Sequence, residues 1–277
     1  MRIRNPRRSV LTGAVAALGV CSLVLAFIAP GVEETKVDLN DGGVWVTNAK
    51  RGIVAHVNVP ARLMDAGLHA ASSAFDVFQN GEQVQLSDQA ANTLSPIDVT
   101  TATLTSAVDY RGMTTDVRGG TIAVTDAPNG KVWVQQADHP APINADDADA
   151  SISDVPGAIT TVDSEGNVHA VSAEAGRVTS LLKRRALTDT KTTPLTGIGA
   201  TDYLQIAAVG TDVVVWDRDT STLYLPGGKT QRIDGERVVL QDTGPKTNEV
   251  LLSSPDALIR VPIGGGSPTT VPAPAPG

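Results

Sequence analysis

The chain has 277 residues, a net charge of −8 and an apolar fraction of 41%, which is enough for a packed core and excludes global disorder. The four arginines of the first eight residues leave residues 30–277 with 18 bases against 30 acids, a net −12. Such a surface repels polyphosphate, so no nucleic-acid partner is expected. The only cysteine, Cys21, lies in the N-terminal apolar run, which leaves disulfides and thiolate metal sites out of the rest of the chain.

The first predicted element is a membrane helix. Residues Ser9 to Ala29 carry no charge, and as a helix they would span about 30 Å, the thickness of a hydrocarbon core. Arg2, Arg4, Arg7 and Arg8 precede the run, whereas Glu33, Glu34 and Asp38 follow it. The positive-inside rule then places residues 1–8 in the cytoplasm and everything after Pro30 outside. A cleaved signal peptide is the alternative, but the run exceeds a usual signal core and its small-residue cleavage pattern is poor. A single-pass signal anchor at the cell membrane is therefore expected, with residues 30–36 as a linker.

Residues 37–263 read as one all-β domain built from a repeat. An apolar strand ends in Asp or Asn, a short turn follows, and a Gly opens the next strand. The clearest copies are Val44–Val57, Ile122–Val134 and Ile159–Val171, and looser ones are Val77–Val84, Val213–Leu225 and Val250–Val261. The Asp or Asn side chain bonds its own backbone at the turn, and Gly supplies positive φ. Taking Val46, Val77, Val124, Val162, Val215 and Leu252 as markers, the spacings are 31, 47, 38, 53 and 37 residues. Their mean of about 41 matches a four-stranded propeller blade, so a β-propeller of about six four-stranded blades is predicted. Tandem β-sandwiches are the alternative, disfavoured because no linker divides the region. Trp45, Trp133 and Trp216 share no register, so no signature tryptophan defines the repeat. Residues 264–277, rich in Gly and Pro, read as a linker at which the chain is truncated.

With its apolar anchor, the run Val37-Asp-Leu-Asn-Asp-Gly-Gly-Val-Trp-Val-Thr-Asn48 and the hairpin repeat, the chain resembles the N-terminal part of a family of actinobacterial membrane-anchored cell-surface proteins. The resemblance implies a propeller-like ectodomain followed by fibronectin type III or immunoglobulin-like modules, which this sequence lacks. It implies no catalytic residues.

No constellation of residues specifies catalysis. Ser180-Leu-Leu-Lys183 has the Ser-x-x-Lys form of a serine acyl-enzyme but lacks the partner motifs. His56, His69, His139 and His169 show no metal-ligand spacing; His56 and His169 occupy comparable second-strand positions, which suggests a repeated structural role. Asp147, Asp149 and Ser151 place oxygens at alternate positions as calcium loops do, with Ser153 beyond them. Ile152 and Ala158, however, stand where such a loop needs Gly and Glu. Asp217-Arg-Asp219 reads as an Asx turn. No cofactor is expected. The sequence thus points to an extracytoplasmic binding or scaffold module whose partner is an envelope protein or a cell-wall glycan. A carbohydrate-active propeller enzyme is the alternative, resting on fold and location alone.

Overall fold

A computed structural model describes residues 43–273, apart from 82, 145, 147, 148 and 184–188. The predicted membrane run Ser9–Ala29, the arginines before it, the linker 30–36, the calcium candidate Asp147 and the last four residues lie outside the described residues. Among the described residues no helix is long and apolar enough to cross a membrane.

The described chain is all-β and folds into six antiparallel sheets, each built from consecutive strands. The first sheet holds Gly43–Asn48, Ile53–Asn58 and Leu63–His69. The second holds Phe75–Asn80, Gln83–Asp88, Thr93–Asp98 and the short Thr103–Leu104 and Val108–Asp109. Thr114–Arg118, Thr121–Asp126 and Lys131–Gln136 form the third. The fourth comprises Ile159–Val162, Val168–Ser172, Arg177–Leu182 and Asp189–Pro194. Leu204–Val209, Asp212–Asp217, Thr222–Leu225 and Lys229–Arg232 form the fifth. The sixth is Val239–Leu240, Glu249–Ser253, Ala257–Pro262 and Thr269–Pro272.

Each of the six sequence hairpins is the core of one sheet, and the turn chemistry works as the residue types require. Asp126 takes the backbone N–H of Asn129 at 3.2 Å and its side-chain amide at 2.7 Å. Asp217 takes the N–H groups of Asp219 and Thr220 at 3.0 and 3.2 Å, an Asx turn. Asn48 accepts from Arg51 at 3.2 Å, and Gly52 then closes that turn at φ 63°. The uneven repeat spacing also has a structural reason. The markers lie on the first strand in sheets one, two and four, and on the second strand in sheets three, five and six. Spacings of 47 and 53 residues run from a first strand to a second one and so include an extra strand, while 31 and 37 join like positions.

Two expectations change. Among the described residues the sheets are not uniformly four-stranded, because the first and third have three strands and the second has five. In the third sheet the fourth position shrinks to one bridge, Val132 with Ile152, closed by N–H···O bonds of 2.9 and 3.0 Å. The segment before it carries Pro140 and Pro142, which cannot donate to a ladder. The C-terminal tract is not wholly a linker. Thr269–Pro272 pairs with Ala257–Pro262 as the outermost strand of the sixth sheet, Thr270 opposite Ile259. Thr269, Thr270 and Val271 favour extended backbone, and Pro272 is tolerated because an outer strand needs its N–H groups on one side only.

Apolar clusters fill the space between successive sheets. Trp45, Val54, Phe75 and Leu86 join the first two, and Leu94, Val117 and Ile122 join the second to the third. Val132, Val162 and Leu181 join the third to the fourth. Val171, Val178, Val215 and Tyr224 link the fourth to the fifth, and Val214, Trp216, Val250 and Leu252 the fifth to the sixth. Middle sheets therefore bury both faces, which a two-sheet sandwich does not do. Sequential radial stacking is the propeller solution for sheets that cannot bury themselves alone. Among the described residues no apolar cluster joins the sixth sheet to the first. Val44 and Val46 remain exposed on the first sheet, as do Val239, Leu251, Leu258 and Val271 on the sixth.

Candidate functional site

The first strand of each sheet has one edge without a strand partner, and its backbone groups need other ligands. Side chains of neighbouring sheets supply them. Gln79 accepts from the Trp45 N–H at 3.1 Å and donates to the Gly43 carbonyl at 3.4 Å. Asp116 accepts from Val162 at 2.8 Å, and Gln205 accepts from Leu240 at 2.9 Å. Thr243 accepts from Ala208 at 2.9 Å and lies 2.6 Å from the Thr161 hydroxyl. These bonds fix each sheet against the next and leave clefts between them.

The cleft between the second and third sheets, of about 240 Å³, is lined by Val77, Phe78, Val117 and Ala137 together with Gln79, Asn80, Gln83, Gln85, Arg118 and Gly120. Its position follows from two tight turns. Asn80 and Gln83 face each other across the Gly81 turn, and Gly119-Gly120 joins Thr114–Arg118 to Thr121–Asp126 with φ values of 55° and 71°. Positive φ at both central residues is what a two-residue type I′ hairpin turn demands. Gln85 is 3% exposed. Its Nε2 donates to the Ala137 carbonyl, and the Ala137 N–H donates to the Gly120 carbonyl at 3.0 Å. Among the described residues the Oε1 of Gln85 and the Nε of Arg118 are both buried without a hydrogen-bond partner. A buried acceptor and a buried cationic donor left unpaired each cost free energy, on the order of 1–3 kcal/mol for a neutral group and more for a charged one. The amides of Gln79, Asn80 and Gln83 are exposed in its lining, and Gln85 and Arg118 add a buried acceptor and a buried charged donor.

A second cleft, of about 220 Å³, lies between the fourth and fifth sheets and includes His169, Ser180, Lys191, Asp212 and Tyr224 in its lining. Here the hydroxyl of Ser180 lies 2.8 Å from His169 Nδ1, and His169 Nε2 lies 3.2 Å from Asp163 Oδ2. Asp163 also takes the N–H groups of Glu165 and Asn167, both at 2.9 Å, and the Asn167 side-chain amide at 2.7 Å. Burial opposes ionisation of Asp163, but the bonds from His169, Asn167 and the backbone outweigh it and hold its carboxyl below the usual value. With four donors on one carboxylate, this array organises the turn after Ile159–Val162 and ties it to the second and third strands. His56 does the corresponding work in the first sheet. It sits on the second strand, its Nδ1 is 2.6 Å from Asp65 on the third, and its ring tilts against Trp45 at 5.3 Å. The two comparable histidine positions share a strand-bridging role.

The Ser-x-x-Lys pair is not a pair in space. Residues three apart on a strand point to opposite faces, and the Lys183 ammonium instead reaches the Gly119 carbonyl at 3.2 Å and the Thr121 hydroxyl at 3.4 Å. Of the calcium candidates, Asp149 is exposed and Ser151 Oγ accepts from the Val134 N–H at 3.1 Å. Among the described residues no group of three or more His, Cys, Asp or Glu could hold a metal ion. Sequence reasoning missed Gln79, Asn80, Gln83, Gln85 and Arg118. The available signal was Gln85, a polar residue at the centre of a strand whose neighbours Val84 and Leu86 are core.

No known family profile and no curated protein matches the chain. Solved structures resemble it in fold, all at low identity. A dihydro-heme d1 dehydrogenase, NirN, in complex with DHE superposes with a TM-score of 0.56 at 11% identity, covering 90% of this chain and 57% of that one. The chain therefore spans a little over half of NirN. Virginiamycin B lyase from Staphylococcus aureus gives 0.56 at 12% identity, covering 84% of this chain and 82% of that one. Kluyveromyces lactis Hsv2 gives 0.55 at 10% identity, covering 79% and 76%. These propeller proteins include enzymes and binding scaffolds, so the likeness establishes a propeller-like fold for this chain and no activity.

Proposed function

We propose that the chain is a membrane-anchored extracytoplasmic binding module, and that the cleft between its second and third sheets takes a cell-wall glycan. The observation that carries this reading is the amide-lined cleft with its unpartnered Gln85 Oε1 and Arg118 Nε. Sugar hydroxyls donate and accept at once, and Asn and Gln amides offer both functions on one rigid plane. Phe78 and Val117 supply the apolar wall against which a sugar ring packs. A glycosidase-type reaction needs two carboxyl groups flanking the scissile bond, whereas the described lining offers amides and a guanidinium. The uncharged run Ser9–Ala29, preceded by four arginines and followed by acids, supports placing the module outside the membrane.

The test is co-sedimentation of the full chain, in detergent micelles, with isolated cell wall. Saturable retention that falls at least fivefold in Gln83→Leu and Asn80→Leu supports the reading. Retention unchanged by both substitutions removes this cleft from the function.

A further inference from the structure

We infer that the sugar held between the second and third sheets is an acidic one, its carboxylate seated on Arg118 and Lys183 and a ring hydroxyl on Gln85. The inference rests on the glycan reading of the cleft and names the class of saccharide it selects.

The argument starts from charge. The chain is acidic overall, at −8, yet the charged residue in the described lining of this cleft is Arg118. Arg118 is half-buried at the end of Thr114–Arg118, its Nε is sealed from solvent, and no hydrogen-bond acceptor meets it. Among the described residues no carboxylate forms an ion pair with it. The acid facing it is Asp116, two residues earlier on the same face of the strand. That carboxyl is engaged by the Val162 N–H at 2.8 Å; burial raises it above the ordinary carboxylate value, and the charge of Arg118 works against that rise. A partly desolvated guanidinium whose Nε meets no acceptor among the described residues gains from an anion that supplies one.

A second cation stands at the turn that follows Arg118. A methyl group placed on Gly120 would lie 3.6 Å from Asn80 Nδ2 and 3.9 Å from Lys183 Nζ, so an amide donor and an ammonium converge on the Gly119-Gly120 turn that lines the cleft. Lys183 arrives there from the fourth sheet and is held by the Gly119 carbonyl and the Thr121 hydroxyl, which leaves the ammonium a third donor. The fork of Arg118 matches a planar carboxylate through two parallel N–H bonds, and Lys183 adds a point charge beside it.

Gln85 adds an acceptor, tied to the same turn through Ala137 and Gly120. Its Nε2 is committed to Ala137, so its buried Oε1 can only accept. The ligand must therefore carry a donor as well as an anion. A uronic acid or a carboxylated amino sugar carries both on one ring. At about 240 Å³ the cleft falls below the roughly 300–1,000 Å³ of pockets that enclose drug-sized ligands, which suits a single ring.

The experiment is calorimetric titration of the full chain, in detergent micelles, with methyl glucuronide, methyl glucoside and glucose 6-phosphate. The glucuronide is expected to bind at least tenfold tighter than the neutral glucoside, with the advantage shrinking as salt rises. Arg118→Met is expected to abolish the preference for the glucuronide over the glucoside. Lys183→Met, on an exposed side chain, is expected to halve the preference or more, and it provides the readout if Arg118→Met does not fold. Equal affinity for acidic and neutral sugars, or a preference untouched by either substitution, overturns the acidic-sugar inference and leaves the glycan reading standing. Tighter binding of the phosphate than of the glucuronide overturns the carboxylate assignment. Absence of binding by all three sugars, together with absence of cell-wall retention, overturns both.

Discussion

Ser180 Oγ and His169 Nδ1 lie 2.8 Å apart on adjacent strands of the fourth sheet, in register directly opposite one another. With its Nε2 proton directed at Asp163, the imidazole accepts the serine hydroxyl, and a turn, a second strand and a third strand become one hydrogen-bonded unit. Asp163 is fully buried, so its four donors are its only solvation. Asp163→Ala is expected to cost about 3 kcal/mol, since it strands several buried donors at once. Ser180→Ala, which leaves one histidine nitrogen unpaired, is expected to cost about 1 kcal/mol. Urea denaturation of both variants checks the ranking, and a larger loss for Ser180→Ala would contradict the structural role.

Acid should act in opposite directions through two aspartates. The Asp163 carboxyl is depressed in the folded state because its hydrogen bonds outweigh burial. Its contribution is present above the unfolded value near 3.8 and is lost as pH falls through the lower folded value. The Asp116 carboxyl is raised by burial. Its charged form therefore costs stability above the folded value, and the cost disappears as pH falls below the unfolded value. Urea midpoints measured from pH 3 to 7 should show a flatter acid decline in Asp163→Asn. Asp116→Asn should show a relative gain at pH 7 that vanishes near pH 3.

Two glycines from different sheets touch. A Cβ on Gly119 would lie 2.4 Å from the Gly166 nitrogen, and one on Gly166 would lie 2.5 Å from Thr121 Oγ1 and 2.7 Å from the Gly119 carbonyl. Gly166→Ala is expected to cost about 2–4 kcal/mol, combining positive φ with backbone overlap. Gly176→Ala, at φ 62° with open space around it, should cost about 1 kcal/mol from φ alone. Thermal melts of the two variants separate the contributions.

Gln79 ties the first two sheets through the Trp45 N–H and the Gly43 carbonyl. Gln79→Leu is expected to cost about 1 kcal/mol, and hydrogen exchange should quicken at Trp45 while the Gln205-protected amide of Leu240 is unchanged. Equal acceleration at both amides would mean a global loss rather than a broken tie.

The outer strand Thr269–Pro272 covers one edge of Ala257–Pro262. Deleting residues 267–277 is expected to expose the amides of Leu258 and Arg260, raising their exchange rates and the tendency of the protein to aggregate along that edge. Hydrogen exchange and light scattering measure the two effects.

The hairpins were legible before any coordinates because their causes are local. Asn48 and Asp126 end their strands by bonding N–H groups three residues on, and Gly52 and Gly130 follow at φ 63°. A sheet count of six followed from those turns. Strand number per sheet did not, because a fourth strand such as Thr269–Pro272 depends on a partner edge that the tract cannot reveal. The Ser-x-x-Lys spacing was legible as a pattern, but the strand's two-residue period sends Ser180 and Lys183 to opposite faces, and only coordinates show Lys183 meeting a turn 64 residues away. The same holds for the cleft. Gln85 and Ala137, 52 residues apart, meet only because the second and third sheets stack, and the unpaired Gln85 oxygen and Arg118 nitrogen emerge from that stacking. Local backbone chemistry thus determined the repeat, while the packing of sheet on sheet decided which polar groups were left facing a cavity.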